Sequence, residues 1–369
     1  MIVFKSKRYP LKTKIFYVCV SFKLNFLHLS PSVAVVILNW NGRNFLEKFL
    51  PSVLASTYHN ASVIVVDNAS TDDSVQWLQN NVPQVRIIIH DNNEGFAQGY
   101  NLALRQITSD YYVLLNSDVE VDKNWIEPVI NMMENDKNIA ACQPKILSYH
   151  DPTSFEYAGA SGGWIDHWGY PFTRGRVFSH CEKDRGQYDD PRPVFWATGA
   201  SLFVRASAFH EVGGFDPYFF AHQEEIDLCW RLQRNGYRVY VQPLSKVYHV
   251  GAGTLAAESP QKTFLNFRNN LVMLAKNLPA GEAIITICWR LVLDWVAALQ
   301  ILFSGKTGSA WAIIKAHVAF IKWTINGKKN SVIKKISWRK LQGVYRRSIV
   351  WDFFVKKKNT FSEIVDVKN

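Results

Sequence analysis

Three features of the chain point to an α/β domain whose central sheet is mostly parallel and covered by helices on both faces. From Val33 onward, continuous apolar runs alternate with stretches of helical spacing. The runs are apolar at every position, not every second one, as strands buried on both faces require. Each run also ends in polar residues, as in sheets that bind ligands beyond the carboxyl ends of their strands.

The elements follow in order. "VAVVIL" reads as a first strand, "NFLEKFLPSVLAS" as a helix and "SVIVVD" as a second strand. "SVQWLQNN" and "VRIIIH", then "FAQGYNLALRQI" and "YYVLL", repeat the alternation and give four strands. The residues that follow them are Asn39-Trp40-Asn41, Asp67-Asn68, Asn92-Asn93-Glu94 and Asn116-Ser117-Asp118. After about residue 140 the alternation stops. "YAGASGGWIDHWGYPFTRGR" has glycines and aromatics without a period, which predicts an irregular binding region. Order returns with "FWATGASLFVRASAFHEVGGFD". In "HQEEIDLCWRLQRNGY", Ile226, Cys229, Trp230 and Leu232 mark the buried face of a helix that Asn235-Gly236 stops, and "YRVYVQP" follows as a strand.

Beyond Lys276 come "AIITICWRLVLDWVAALQILF" and "AWAIIKAHVAFIKWTI". The first has the length of a membrane span, but Arg290 and Asp294 sit in its middle, where charges are costly. Four residues apart, they are placed to pair on one polar face of a helix lying in the membrane interface. The chain thus divides into a basic N-terminal extension (1–31), a central domain (32–275) and a basic, aromatic, helical, membrane-associating region (276–369).

Of the 369 residues 48% are hydrophobic, enough for a globular core. The net charge of +11 is uneven: residues 305–369 contribute +12 and residues 1–30 contribute +6, which leaves −7 on residues 31–304. A basic terminus interleaved with Trp, Phe and Ile fits an anionic membrane surface, or else the solvated faces of helices. No nucleic-acid reading element accompanies it. The five cysteines are scattered, which excludes a disulfide scaffold or a structural zinc site and fits a reducing compartment. "IFYVCV" is interrupted by Lys23 and lacks a cleavage site, so no signal peptide is expected.

Four groups of residues carry candidate chemistry. Asn116 and Asp118, two apart at a strand end, offer oxygen ligands for Mg²⁺ or Mn²⁺, although an Asp there also serves as a turn former. Glu224, Glu225 and Asp227 fall in the first turn of a helix, where carboxylates are favoured by the dipole; one projecting into a cleft would act as a general base. His249, following a strand, is a core histidine or, beside a cation, a nitrogen ligand. Asp67-Asn68 carry oxygens suited to the imide N–H of a pyrimidine, with Trp40 placed to stack. Gly95 and Gly99 permit close backbone approach.

Taken in order, "VVILNWNG", "VIVVDNASTDDS", "NEGFAQGYN", "LLNSDVEVD", "TGASLFVRASAFHEVGGFDPYFF", "EEIDLCWRLQRNGY" and "VYHVGAG" resemble the family 2 glycosyltransferases, especially bacterial rhamnosyltransferase-like members, over roughly residues 32–275. The resemblance implies a GT-A fold, a nucleotide-diphospho-sugar donor such as dTDP-rhamnose or a UDP-sugar, a divalent cation and inversion at the anomeric carbon. It places Asn116-Ser117-Asp118 at the D-x-D metal motif, Glu225 at the base, beside Glu224 and Asp227, and His249 in the metal shell. It places Asp67-Asn68 at the nucleoside-binding acids, and the expected nucleotide-sugar set is these two with Asn39, Trp40, Asn41, Gly95, Asn101, Asn116, Thr198 and Gly199, while Arg268 in "NFRNN" would add positive charge at the diphosphate. Asn116 departs from the first Asp of the motif and Glu225 from the usual Asp. The implied acceptor is a saccharide or lipid-linked saccharide of cell-surface polysaccharide synthesis, met at the cytoplasmic face of the inner membrane by a peripherally bound protein.

Two other classes make different demands. A nucleotidyltransferase needs a basic Gly-rich loop after the first strand, and "NWNGRNFLEKF" has one Gly. A non-catalytic sugar-nucleotide scaffold would lack the base or the metal residues, and Glu225, Asp118 and His249 are all present.

Overall fold

The structure, a computed structural model, describes residues 30–251, 259–326 and 335–365. The alternating region folds as β1 (Val33–Asn39), α1 (Arg43–Leu54), β2 (Ala61–Asp67), α2 (Ser74–Asn81), β3 (Arg86–Ile89), α3 (Gly95–Leu104) and β4 (Tyr111–Asn116). Next come β5 (Val119–Val121), α4 (Glu127–Asn135) and β6 (Ile139–Ser148). The four strands read from the sequence lie together, with β3, β2, β1 and β4 adjacent and parallel. They carry two apolar layers because alternate residues face opposite helices: Val36, Val66 and Leu114 pack towards Tyr100 of α3, and Val35, Val65 and Val113 towards Leu46 and Leu50 of α1.

Past residue 150 lie five short strands: β7 (Gly163–Asp166), β8 (Pro171–Thr173), β9 (Arg176–Val177), β10 (His180–Cys181) and β11 (Arg192–Pro193). The region read as irregular therefore holds β7 to β10 as a second, mostly antiparallel sheet. Its strands are too short and too glycine-broken to show a period. β12 (Ser201–Arg205), α5 (Ala206–Glu211), α6 (Glu224–Arg234) and β13 (Arg238–His249) complete the main sheet, in the order β11-β13-β6-β12-β4-β1-β2-β3. β12 runs antiparallel to β4 and β6, whereas β13 runs parallel to β6. The carboxyl ends of β3, β2, β1, β4, β6 and β13 thus lie along one edge.

Three long helices follow: α7 (Pro260–Asn277), α8 (Ala280–Phe303) and α9 (Thr307–Asn326), each packed against the other two. Arg290 and Asp294 of α8 do pair, at 3.0 Å, but on the inner face of the helix, not on a solvated one. There Arg290 lies over the Tyr170 ring and Asp294 also meets His317 of α9 at 3.3 Å. The region read as helical to its end contains β14 (Val344–Tyr345), which pairs with β7, before a short α10 (Phe361–Ile364). Ile349 N–H donates to Asp166 at 2.9 Å, and Phe361 packs on Trp164 and Phe172.

Candidate active site

Strand register accounts for the first convergence. Asn39 pairs with Asp67 and Leu38 with Asn116, so the polar ends of β1, β2 and β4 stand side by side. β5 leaves β4 after Ser117-Asp118 and pairs instead with the last residues of β13, aligning Val119 with His249. This switch brings Asp118 to His249, 131 positions away in the sequence. Asp118 Oδ1 lies 3.2 Å from His249 Nε2, and the Val250 N–H donates to the Asp118 carbonyl.

Nε2 of His249 also lies 3.4 Å from Asn116 Nδ2. One ring nitrogen cannot accept from an amide and donate to a carboxylate at once. The imidazole, the Asp118 carboxylate and, with its amide turned over, the Asn116 oxygen would together hold a divalent cation, and such a cation would resolve that conflict. Among the described residues no three His, Cys, Asp or Glu side chains form a cation cage. The donor set suits a hard cation that completes its shell with substrate phosphate.

On the other side of the imidazole, Glu156 Oε2 lies 3.2 Å from Nδ1. The N–H is not aimed squarely at it, and the contact is an ion pair, not a hydrogen bond. Burial alone would lower the His249 pKa, but Asp118 and Glu156 outweigh it and raise the imidazole to about 10. Glu156 escaped the sequence reading because it lies in the aperiodic stretch. Its signal, an acid beside a Gly- and aromatic-rich segment, is too weak to find it.

The three acids of α6 separate. Glu224 and Glu225 each keep a buried Oε2 with no hydrogen-bond partner among the described residues. Burial raises the Glu225 carboxyl to about 7; burial and then the Glu225 charge raise Glu224 as well. Asp227 does not share their setting. Two positions beyond Glu225 it points to the opposite side of the helix and is bound by Arg231 at 2.8 Å, Lys276 at 3.2 Å and Asn277 at 2.8 Å. Burial would raise it, but these partners hold it down at about 2. It is a structural counter-ion to α6 and α7.

The turn that aims α6 is strained. Phe220, His222 and Gln223 have φ of 62°, 69° and 73°, conformations that non-glycine residues seldom adopt. α7 holds them there: the Asn269 amide faces the carbonyls of Phe219, Ala221 and His222, and Arg268 donates to those of Tyr218 and Phe219. Arg268, expected to add charge at the diphosphate, is thus spent on this turn, with its guanidinium over the Tyr218 ring. The Phe220 carbonyl in turn accepts from Phe96 and Ala97 N–H at the start of α3. Gly95, at φ 70°, lies so close to Phe220 that a Cβ would collide with its ring. One turn therefore joins α3 to α6.

The remaining residues divide by what occupies them. Asn39 donates to Asp67 and Ser70, and Asp67 accepts from Ser70 N–H as well. Ser70 belongs to this cluster and not to the helix that follows; α2 begins after Asp73, with Asp72 accepting from Ser74 N–H. The Asn68 amide is fully engaged, donating to Asn93 and Gly95 and accepting from His90 and Glu94, so it shapes the loop and has no lone pair left for a base. Asn101 exchanges two hydrogen bonds with the Phe215 backbone, and buried Thr198 ties Gln143 to Ala158, so both are fastenings away from open space. Asn41 accepts from Thr71 and Asp72 N–H, Trp40 beside it is 40% exposed, and Gly199 abuts Phe96.

Residues 34–213 match the model for glycosyl transferase family 2. Residues 34–213 are a family 2 glycosyltransferase domain. This glycosyltransferase is 26% identical over 279 residues, 71% of its length and 87% of the relative's, to N-acetylglucosaminyl-diphospho-decaprenol L-rhamnosyltransferase of Mycobacterium tuberculosis. It is 23% identical over 288 residues, 77% and 84% of the two chains, to the low-salt glycan biosynthesis hexosyltransferase Agl10 of Haloferax volcanii. Among solved structures, S. aureus TarS 1–349 in complex with UDP-GlcNAc superposes with TM-score 0.52 at 14% identity, over 79% of this glycosyltransferase and 81% of TarS 1–349. GalNAc-T7 with UDP, GalNAc and Mn²⁺ gives 0.53 at 17% identity, over 69% of this chain and 49% of that one. At these identities the likeness is one of fold, and the fold is the expected GT-A arrangement.

Proposed function

We propose that this glycosyltransferase moves a sugar, with inversion, from a nucleotide-diphospho-sugar to a hydroxyl of a saccharide or lipid-linked saccharide in cell-surface polysaccharide synthesis. The observation that carries the reading is the pairing of two incomplete sites on one scaffold. Asp118, His249 and Asn116 converge at the sheet edge, and α6 presents a Glu225 carboxylate with an unpartnered oxygen and a pKa near neutrality.

In this mechanism Asp118, His249 and Asn116 would hold a divalent cation, Mg²⁺ or Mn²⁺, which when bound would supply positive charge against a departing nucleoside diphosphate. Glu225 takes the proton of the acceptor hydroxyl as that oxygen bonds the anomeric carbon, while the bond from that carbon to the diphosphate breaks on the opposite face. A base with a pKa near 7 is largely ionised just above neutral pH and still basic enough to accept a proton. Burial keeps Glu225 basic, and its charge in turn holds the neighbouring Glu224 in its protonated form. Trp40, Asn41 and Asp67 lie where a nucleoside meets the ends of β1 and β2.

The name of the mycobacterial relative supports a lipid-diphosphate-linked acceptor and a rhamnosyl donor, and the ligands of the GalNAc-T7 and TarS structures support a nucleotide-sugar and a divalent cation. A membrane-bound acceptor also fits the division into a 32–275 catalytic domain and a basic 276–369 region, acting peripherally at the cytoplasmic face. Incubating the protein with UDP-, dTDP- and GDP-sugars, with Mn²⁺ and with EDTA, tests the reading. Release of one nucleoside diphosphate only with the cation supports it, and no turnover of any donor overturns it.

A further inference from the structure

α8 has two unlike sides. Ala283, Thr286, Arg290, Asp294 and Ala298 turn inward, whereas Ile285, Trp289, Val292, Val296, Leu299 and Phe303 recur at spacings of three and four on the outside. The outer residues are uncovered: Trp289 is 52% exposed, Val296 58% and Phe303 86%. α9 continues the surface with Trp311, Val318, Ile321 and Ile325. So broad an apolar area on a protein surface marks a binding face.

We infer that the outer face of α8 and α9 seats the enzyme on one leaflet of an anionic lipid surface. This deepens the lipid-linked-acceptor reading above and rests on it. Three observations select lipid. α8 is long and apolar enough to cross a membrane, yet its inner side carries the buried Arg290–Asp294 pair, His317 and the Tyr170 contact, so hydrocarbon reaches only its outer side. Tryptophans at positions 289, 295 and 311 have the amphipathic rings favoured at the boundary between headgroups and chains.

Charge is the third. Exposed Lys315 and Lys322 line a groove with Trp311 and Val318, and of the two acids on these helices Asp294 is buried and Glu282 meets the Trp338 N–H. Anionic headgroups complement that face, while a second copy would set lysine against lysine. Packing ties this face to the start of α6. Trp289 packs on Trp168 at 5.7 Å, and neighbouring Gly169 accepts from Asn270, whose amide lies 3.5 Å from Gln223 at the start of α6.

The test is co-sedimentation of the full chain with phosphatidylcholine vesicles, with and without about a quarter phosphatidylglycerol, at low salt. The wild type is expected to pellet with the anionic vesicles. V296E/L299E, which changes two exposed side chains, is expected to bind at least tenfold more weakly with an unaltered circular dichroism spectrum. The inference is overturned if the wild type stays in the supernatant or the variant binds equally well. It is also overturned if light scattering shows a dimer that the variant dissolves while vesicle binding is unchanged. Donor hydrolysis in solution, measured in parallel, reports on the transferase reading alone; vesicle binding without hydrolysis leaves the lipid seat standing and removes the chemistry.

Discussion

Asp118 Oδ1 lies 3.2 Å from His249 Nε2 because β5 departs from β4 and pairs with β13 at that point. Everything proposed for the leaving-group side depends on this departure, and everything proposed for the acceptor side depends on the strained turn before α6.

Replacing Glu225 by Gln should lower turnover by about 10²- to 10⁴-fold and leave donor affinity within a few-fold, since the group serves proton transfer. In the wild type kcat/KM should rise with pH through an apparent pKa near 7. Stability should run the other way. A carboxyl whose folded pKa lies above its unfolded 4.5 costs stability as pH rises from there through 7. Thermal melts of E225Q should therefore exceed wild type at pH 8 and match it below pH 4.5. An acid limb unchanged in a slower E225Q enzyme would remove the assignment.

For Asp227→Asn the expectation is opposite in kind. It leaves Arg231 and Lys276 short of their shared counter-charge and should destabilise the fold by about 3–5 kcal/mol, read in urea or thermal unfolding. Because its folded pKa is depressed to about 2, this stabilisation is present above pH 3.8 and fades as pH falls through 2. The folded fraction should keep near-normal turnover per molecule; a hundredfold loss would return Asp227 to the chemistry.

Glu156→Gln should weaken Mn²⁺ binding by roughly tenfold in calorimetry or electron paramagnetic resonance, with or without a nucleoside diphosphate present. The carboxylate holds the imidazole of His249 from behind, and its loss leaves the ring less basic and less fixed. Unaltered Mn²⁺ affinity would make the contact purely structural.

Arg268→Ala separates two roles for one guanidinium. If it fastens the Tyr218–Phe219 turn, kcat should fall while UDP, dTDP or GDP affinity stays within about twofold. A large loss of nucleotide affinity at unchanged kcat would instead put it on the diphosphate.

The alternating strands and helices were legible because burial on both faces leaves an uninterrupted apolar run, a signal carried by each segment alone. The polar series at their ends was equally plain, since a parallel connection brings every strand back in the same direction. Ownership of the polar groups was not. Asn68, Asn101, Thr198 and Arg268 look available in the sequence, and only their neighbours in space show them engaged. The same holds for Asp227, two positions from Glu225 in sequence and opposite it on the helix.

By itself, then, the sequence determined the sheet, the edge on which its ligands collect and the amphipathic pattern of its last helices, all properties of local periodicity. Tertiary structure alone decided which carboxylates stay unpartnered, that Glu156 stands behind His249 and that the charges of α8 face inward. A hydrogen bond or ion pair between residues a hundred positions apart leaves no trace in either segment, because it is fixed by strand register and helix packing rather than by the chain's own spacing.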